Sequence, residues 1–389
     1  MSKKINKVLA YGKQSISQED IDAVVEALQS NWLTQGPKVE EFEKVIREYT
    51  GAKYCVAVSN GTAALHLAVL ALDLMPEFEL LTSPLTFVAS ANCAHYAGGK
   101  AIFADIDSKT GLIDSKEIEK KITKKTKVLV PVHYAGQSCD MSVINKIAKK
   151  HKLLVIEDAA HAIGSEDNST KVGSCEFSDL CIFSFHPVKT VTTAEGGAIT
   201  TNDKNLYQRL MLLRTHGITK DARQFKVFEN EEIGQWSYEM QELGFNYRLT
   251  DIQAALGVSQ LSRLDKFIER RRKIVARYNE AFKNLAGVKI LNEKGYSRAA
   301  WHLYPLLINF EKFGIGKQEF FRAMKEKGIG LQVHYIPIHL QPYYQQLGWK
   351  KGNFPKAEKF YEMEVSLPLY YALTDEEVKF VVESIIEAL

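Results

Sequence analysis

The sequence predicts an α/β fold, a mostly parallel central sheet with helices on both faces followed by a smaller α+β C-terminal domain. Three observations carry that expectation. Between Tyr54 and Thr201 short apolar runs alternate with helix-patterned segments, as successive β-α units do. Beyond Thr250 the pattern changes to a long amphipathic stretch and then to short mixed elements. At 389 residues the chain also exceeds what one hydrophobic core usually serves, which predicts a large domain over residues 1–250 and a small one over 251–389.

The elements follow in order. Ser17-Gln-Glu-Asp20 resembles a capping box and opens a helix towards Leu28. The turn Leu33-Thr-Gln-Gly-Pro37 precedes a second helix, from Val39 towards Tyr49. Strands are expected at Cys55–Val58, Leu80–Ser83, Ala101–Ala104, Lys127–Pro131, Leu153–Glu157, Leu180–Phe185 and Gly197–Thr201. Helices are expected at Ala63–Leu72, Phe87–Ala97 and Ser142–Lys150. A sheet of this type binds ligands at the carboxyl ends of its strands. From the cap Thr250, an apolar stripe of Ile252, Leu256, Leu261, Leu264 and Ile268 predicts one long bridging helix towards Leu285. Trp301–Asn309 and Gln332–Ile336 alternate like strands, and Lys317–Lys327 and Asp375–Leu389 read as helices.

Composition narrows the function classes. Hydrophobic content of 46% with 25% charged residues suits a globular enzyme, not a disordered chain. The net charge of +3 is dispersed, and the basic runs Lys120–Lys127 and Arg270–Lys273 are interleaved with apolar residues at helical spacing. They read as solvated helix faces, so no nucleic-acid partner is expected. The five cysteines, an odd number without CxxC spacing, point to reduced thiols and a cytoplasmic protein. Met1-Ser-Lys-Lys-Ile-Asn-Lys7 is not followed by an apolar core of signal-peptide length, and no run is long enough to span a bilayer, so no membrane partner is expected.

Chemistry concentrates at two strand ends. Cys181-Ile-Phe-Ser-Phe-His-Pro-Val-Lys189 is a strand-like run that closes on a lysine, and Leu153-Leu-Val-Ile-Glu-Asp158 is a buried strand that closes on a carboxylate. An aspartate at a strand end is commonly a helix cap, and most lysines are surface charges. Together they are what pyridoxal phosphate requires: an amine that forms a Schiff base with its aldehyde, and an acid that keeps its pyridine nitrogen protonated. Ser59-Asn-Gly61-Thr62-Ala63-Ala64 is a strand-to-helix turn with small residues, able to receive a phosphate at a helix N-terminus; alone, it reads first as an ordinary capping turn. Phe87, at the end of Ser83-Pro-Leu-Thr-Phe87, is placed either to stack on a flat ring or to join the core. His161, three residues past Asp158, is either a structural histidine or a ligand-orienting one.

Taken in order, the strings Leu33-Thr-Gln-Gly-Pro37, Ser59-Asn-Gly-Thr-Ala-Ala64, Ser83-Pro-Leu-Thr-Phe87, Glu157-Asp-Ala-Ala-His161, Ser184-Phe-His-Pro-Val-Lys189, Glu195-Gly-Gly197, Gly244-Phe-Asn-Tyr-Arg248 and Trp301-His-Leu-Tyr304 resemble the DegT/DnrJ/StrS family. The likeness covers nearly the whole chain. It implies the type I fold of pyridoxal-phosphate transferases and aminotransfer to nucleotide-linked keto sugars. By position, Lys189 becomes the Schiff-base lysine, Asp158 the partner of the pyridine nitrogen, His161 a contact near the phenolic oxygen and Phe87 the stacking ring. Thr62, Ala63 and Ser184 would hold the phosphate, with Asn246 reaching it from a neighbouring subunit, which implies a homodimer with shared sites. The segment Leu72-Asp-Leu-Met-Pro-Glu-Phe-Glu79 departs from the glycine-rich turn common in the family.

Within the family, Ser184–Lys189 and His334-Tyr-Ile-Pro-Ile-His-Leu-Gln-Pro-Tyr343 look most like its pseudaminic-acid branch. That implies glutamate as donor and C4 of a UDP-linked 4-keto-6-deoxy N-acetyl hexosamine as acceptor, with Arg248, His334 and Tyr335 as candidate substrate contacts. Alternatives are another UDP- or dTDP-keto sugar, aminated at C4 or C3, and a cofactor-binding regulator without catalysis. The family's dehydratases carry histidine in place of the lysine, which Lys189 argues against. A regulator needs an added DNA-binding segment, and neither end of the sequence carries a basic helix-turn-helix pattern.

Overall fold

In the computed structural model, which describes residues 8–74, 76–227 and 234–389, seven strands form the central sheet. They are β1 (Tyr54–Val58), β2 (Glu79–Thr82), β3 (Lys100–Phe103), β4 (Thr126–Val130), β5 (Leu154–Asp158), β6 (Leu180–Ser184) and β7 (Gly197–Thr201). Their spatial order is β1-β7-β6-β5-β4-β2-β3, and only β7 runs antiparallel to its neighbours. The seven strands expected between Cys55 and Thr201 are thus all present, within a residue or two of the expected ends. Their near-continuous apolar runs follow from burial on both faces.

Side chains alternate between two separate cores. Val56, Val58, Leu180 and Ile182 pack with the helix Gly61–Ala71 on one face, whereas Cys55, Ala57, Cys181 and Phe183 pack with Phe42, Ile46 and Leu264 on the other. The second face is covered by the helix Pro37–Thr50 and by the helices beyond Thr250. Helices on both faces are therefore observed, not only implied by strand order.

Two expectations are corrected. The stretch from Thr250 is two helices, Asp251–Leu261 and Leu264–Phe282. The chain breaks at Ser262 and Arg263, where the Ser262 hydroxyl bonds the carbonyl of Ser259 and the Arg263 guanidinium reaches Asp20. Asp20 is fully buried and also accepts from the Ser259 hydroxyl (2.6 Å) and Gln260 Nε2 (2.7 Å). At the first helix, Gln18–Gln29, the expected capping box is present, with Asp20 accepting the Ser17 backbone N–H at 2.9 Å. Gln332–Ile336 is not a strand; it touches the small sheet at a single bridge, Gln332 with Ser366.

That small sheet is antiparallel, with β8 (Val288–Ile290), β9 (Tyr304–Ile308) and β10 (Glu364–Leu367) in this order. The helices Lys317–Glu326 and Asp375–Ala388 pack beside it, as the α+β expectation required. Met1–Lys7 and Met75, in the divergent turn, lie outside the described residues. Among those residues no helix is long and apolar enough to cross a membrane.

Candidate active site

β5 and β6 are parallel neighbours, with Asp158 opposite Ile182, so both open onto the same rim of the sheet. The chain then turns after Ser184: Phe185 N–H donates to Gly196 O at 2.8 Å and Lys189 N–H to His186 O at 2.8 Å. Lys189 therefore stands on the turn beyond the strand, not on the strand itself. A cavity of about 1140 Å³ opens there. Of the expected site residues, Thr62, Ala63, Phe87, Asp158, His161, Ser184, Lys189, His334 and Tyr335 all line it.

Asp158 is buried and fixed from two sides. Oδ2 accepts the Ser90 hydroxyl at 2.6 Å, itself 2.8 Å from the Thr86 hydroxyl, and Oδ1 accepts the Ala160 N–H at 3.1 Å. Burial pushes the Lys189 amine down to about 8, against the opposing pull of Asp158. A lysine poised so close to neutrality has an appreciable free-amine population, which a nucleophile or base needs.

His161 lies beneath the Tyr335 ring, with Nε2 and the Tyr335 hydroxyl 3.0 Å apart. Its Nδ1 is buried without a partner among the described residues, and burial with nearby Lys189 holds its pKa well below the usual histidine value. His302, 4.6 Å from it between ring centroids, is neutral for the same reasons, and its Nδ1 too has no partner among the described residues. Phe87 is 56% exposed, which removes the core reading, and its ring stands 6.1 Å from that of Tyr335 across the cavity.

The Ser59–Ala64 turn opens the helix Gly61–Ala71 with its N-terminus on the cavity. Asn60 caps it by accepting the Ala63 amide at 2.8 Å, so that donor is engaged within the turn itself. Two glycines let this turn lie close to the sheet. A Cβ on Gly197 would sit 2.5 Å from Asn60 O, and one on Gly61 would sit 2.9 Å from Ser184 Cβ. The turn thus brings the Thr62 and Ser184 hydroxyls to a helix N-terminus, a setting that favours an anion.

These residues fit pyridoxal phosphate. A poised amine, a buried carboxylate and an anion-favouring helix end share one cavity, beside an imidazole with a vacant hydrogen-bonding position. Two expected residues stand apart from it in a single chain. Asn246 is exposed and tied by its backbone to Thr215. Arg248 lines a separate cavity of about 470 Å³ with Arg47, Glu43 and Arg214, because adjacent side chains alternate and Tyr247 takes the position facing the first cavity. Ser90, Tyr11, Tyr247 and His302 also line the larger cavity without having been expected there. Ser90 had one local sign, its place one helical turn past Phe87.

The class so defined is an enzyme with a lysine and a carboxylate at the carboxyl ends of a parallel sheet. The chain belongs to the DegT/DnrJ/EryC1/StrS aminotransferase family, whose sequence profile matches residues 14–386. It is 42% identical over 387 residues to the spore coat polysaccharide biosynthesis protein SpsC of Bacillus subtilis, covering 99% of this chain and 98% of that protein. It is 40% identical over 385 residues to a UDP-4-amino-4,6-dideoxy-N-acetyl-beta-L-altrosamine transaminase of Campylobacter jejuni, covering 98% of each. Among solved structures it superposes on Helicobacter pylori PseC, an aminotransferase of pseudaminic acid biosynthesis, with a TM-score of 0.89, 35% identity and coverage of 98% and 99%. The PLP form of the sugar aminotransferase Spr1654 from Streptococcus pneumoniae gives 0.89, 30% identity and coverage of 98% and 100%. The fold is that of type I pyridoxal-phosphate enzymes.

Proposed function

We propose that this sugar aminotransferase moves an amino group from glutamate to C4 of a UDP-linked 4-keto-6-deoxy N-acetyl hexosamine. It acts in the cytoplasm as a homodimer with shared sites. Residues 1–250 hold the cofactor, and residues 251–389 form the second unit, which closes the substrate side with Gln332–Ile336. The observation that carries the reading is the shared rim, with the Lys189 amine brought down to about 8 beside a buried Asp158 in one cavity. Full-length similarity to the Campylobacter transaminase and to PseC supports the choice of sugar.

When bound, pyridoxal phosphate supplies an aldehyde that carries the amino group and a ring that takes up the electron pair left by a departing proton. Lys189, with roughly a tenth of its amine neutral at pH 7, takes the proton from the donor's α-carbon and later delivers one to C4 of the sugar. Asp158, held as an acceptor by Ser90 and Ala160, keeps the pyridine nitrogen protonated. Thr62 and Ser184 would hold the phosphate, with Asn246 of a second copy, and Phe87 would stack on the ring; Ala63 would join them only by giving up its amide's bond to Asn60. His161 orients the phenolic oxygen, and His334 and Tyr335 meet the sugar. Arg248 keeps a substrate role only if a second copy brings it to the cavity.

A second reading, amination of a different nucleotide-linked keto sugar, is favoured by the 42% identity to SpsC, a spore coat polysaccharide biosynthesis protein. The deciding experiment offers glutamate with a panel of UDP- and dTDP-4-keto sugars and identifies the aminated product. Preferred turnover of the UDP N-acetyl sugar is expected. Preference for a dTDP sugar moves the assignment to the second reading, and amination of none favours a regulator.

A further inference from the structure

Behind the cavity wall formed by Gln332–Ile336, a buried polar chain ends on His334. Glu364 and Ser366 are both fully buried and, two residues apart on β10, share one face. Glu364 Oε2 accepts the His334 backbone N–H at 2.9 Å, and Oε1 accepts the Ser366 hydroxyl at 2.5 Å. The same hydroxyl oxygen lies 2.8 Å from His334 Nδ1. A serine has one proton to give. Burial raises the Glu364 carboxyl to about 7; above that value it is ionised and takes the serine proton, so Ser366 receives a hydrogen bond from Nδ1–H and the neutral imidazole keeps its lone pair on Nε2.

The ring is held in place on other sides. Tyr11 and Tyr335 flank it at centroid distances of 5.2 and 4.9 Å, and the Tyr134 hydroxyl donates to the His334 carbonyl at 2.5 Å. His334 lines the cavity, and among the described residues its Nε2 has no hydrogen-bond partner. Burial and nearby Lys189 push its pKa down to about 3, so the imidazole is neutral at working pH.

We propose that Glu364 and Ser366 are positioning residues that lock His334 with its proton on Nδ1, presenting Nε2 as an acceptor for a hydrogen-bond donor of the nucleotide-linked keto sugar. The donor is a ring hydroxyl or an acetamido N–H. The inference rests on the sugar-aminotransferase reading above for its ligand, and on the relay alone for its tautomer.

Glu364→Gln tests it with little change in shape. The His334 N–H needs the remaining amide oxygen, so the new NH2 group faces Ser366, whose proton is then free to bond Nδ1. The tautomer inverts and Nε2 becomes a donor. In ¹⁵N-histidine-labelled holoenzyme at pH 8, with His334 assigned through the signals lost in His334→Gln, the wild type is expected to show a protonated Nδ1 and a bare Nε2. In Glu364→Gln the two exchange. With the accepted UDP-keto sugar, KM is expected to rise about five- to tenfold in Glu364→Gln and in Ser366→Ala, while kcat stays within about twofold. The sugar analogue that lacks the contacting donor, hydroxyl or N–H, shows no further loss in Glu364→Gln. A wild-type proton on Nε2, or an unchanged KM in both variants, overturns the proposal. Absence of amination with every sugar tells against the reading of function instead, and the tautomer is still read by NMR.

Discussion

At the scale of single residues, the site depends on an amine whose charge is disfavoured. With its pKa brought down to about 8, Lys189 becomes neutral between pH 7 and 9, where an ordinary lysine at 10.5 stays charged. Only the neutral amine attacks an aldehyde. The rate at which the visible band appears, when pyridoxal phosphate is added to cofactor-free protein, is therefore expected to rise about tenfold per pH unit below about 8 and then level off. A rate still climbing at pH 10 would mean an unperturbed lysine. Lys189 and Asp158 were legible in the sequence because chemically distinctive groups closed two buried strands. Ser90 was not, since its importance lies in a contact across 68 positions to Asp158. Glu364 and Ser366 were hidden for the same reason, as ordinary polar residues in a short stretch whose strand was not foreseen.

At the scale of elements, the buried strands were readable because a parallel strand covered on both faces is an apolar run with polar ends. The break between Leu261 and Leu264 was not, because the apolar stripe continues through it. What ends the first helix is distant: buried Asp20 gathers the Ser259 hydroxyl, the Gln260 amide and the Arg263 guanidinium around itself. Asp20→Ala strands these donors and is expected to cost about 2–3 kcal/mol, seen as a thermal midpoint lower by roughly 5 °C. An unchanged midpoint would show that the break needs no anchor. Gln332–Ile336 failed as a strand for a related reason. The N–H and C=O of His334 are satisfied by the Glu364 carboxylate and the Tyr134 hydroxyl, so side chains replace the ladder that its alternating pattern implied.

At the scale of the whole molecule, one chain leaves Asn246 and Arg248 outside the cavity they were expected to serve. Large apolar side chains are exposed in the same region, Trp236 at 84%, Leu243 at 78% and Met240 at 63%, the kind of surface that a second copy covers. Under the proposed homodimer, which subunit supplies these residues is a property of the assembly that motifs do not carry. A mixed dimer of Lys189→Ala and Asn246→Ala chains has one doubly defective site and one intact site. Random exchange of subunits is expected to restore activity to about a quarter of the wild-type sites. Mixtures no more active than the sum of the two variants would place both residues in one chain's site.

The central claim is that Lys189 is the amine that captures the cofactor beside Asp158. Borohydride reduction of the cofactor-loaded protein, followed by digestion and peptide mass spectrometry, reads this directly. A single phosphopyridoxyl label on the peptide containing Lys189 is expected, and it is absent from Lys189→Ala; a label on any other lysine contradicts the claim.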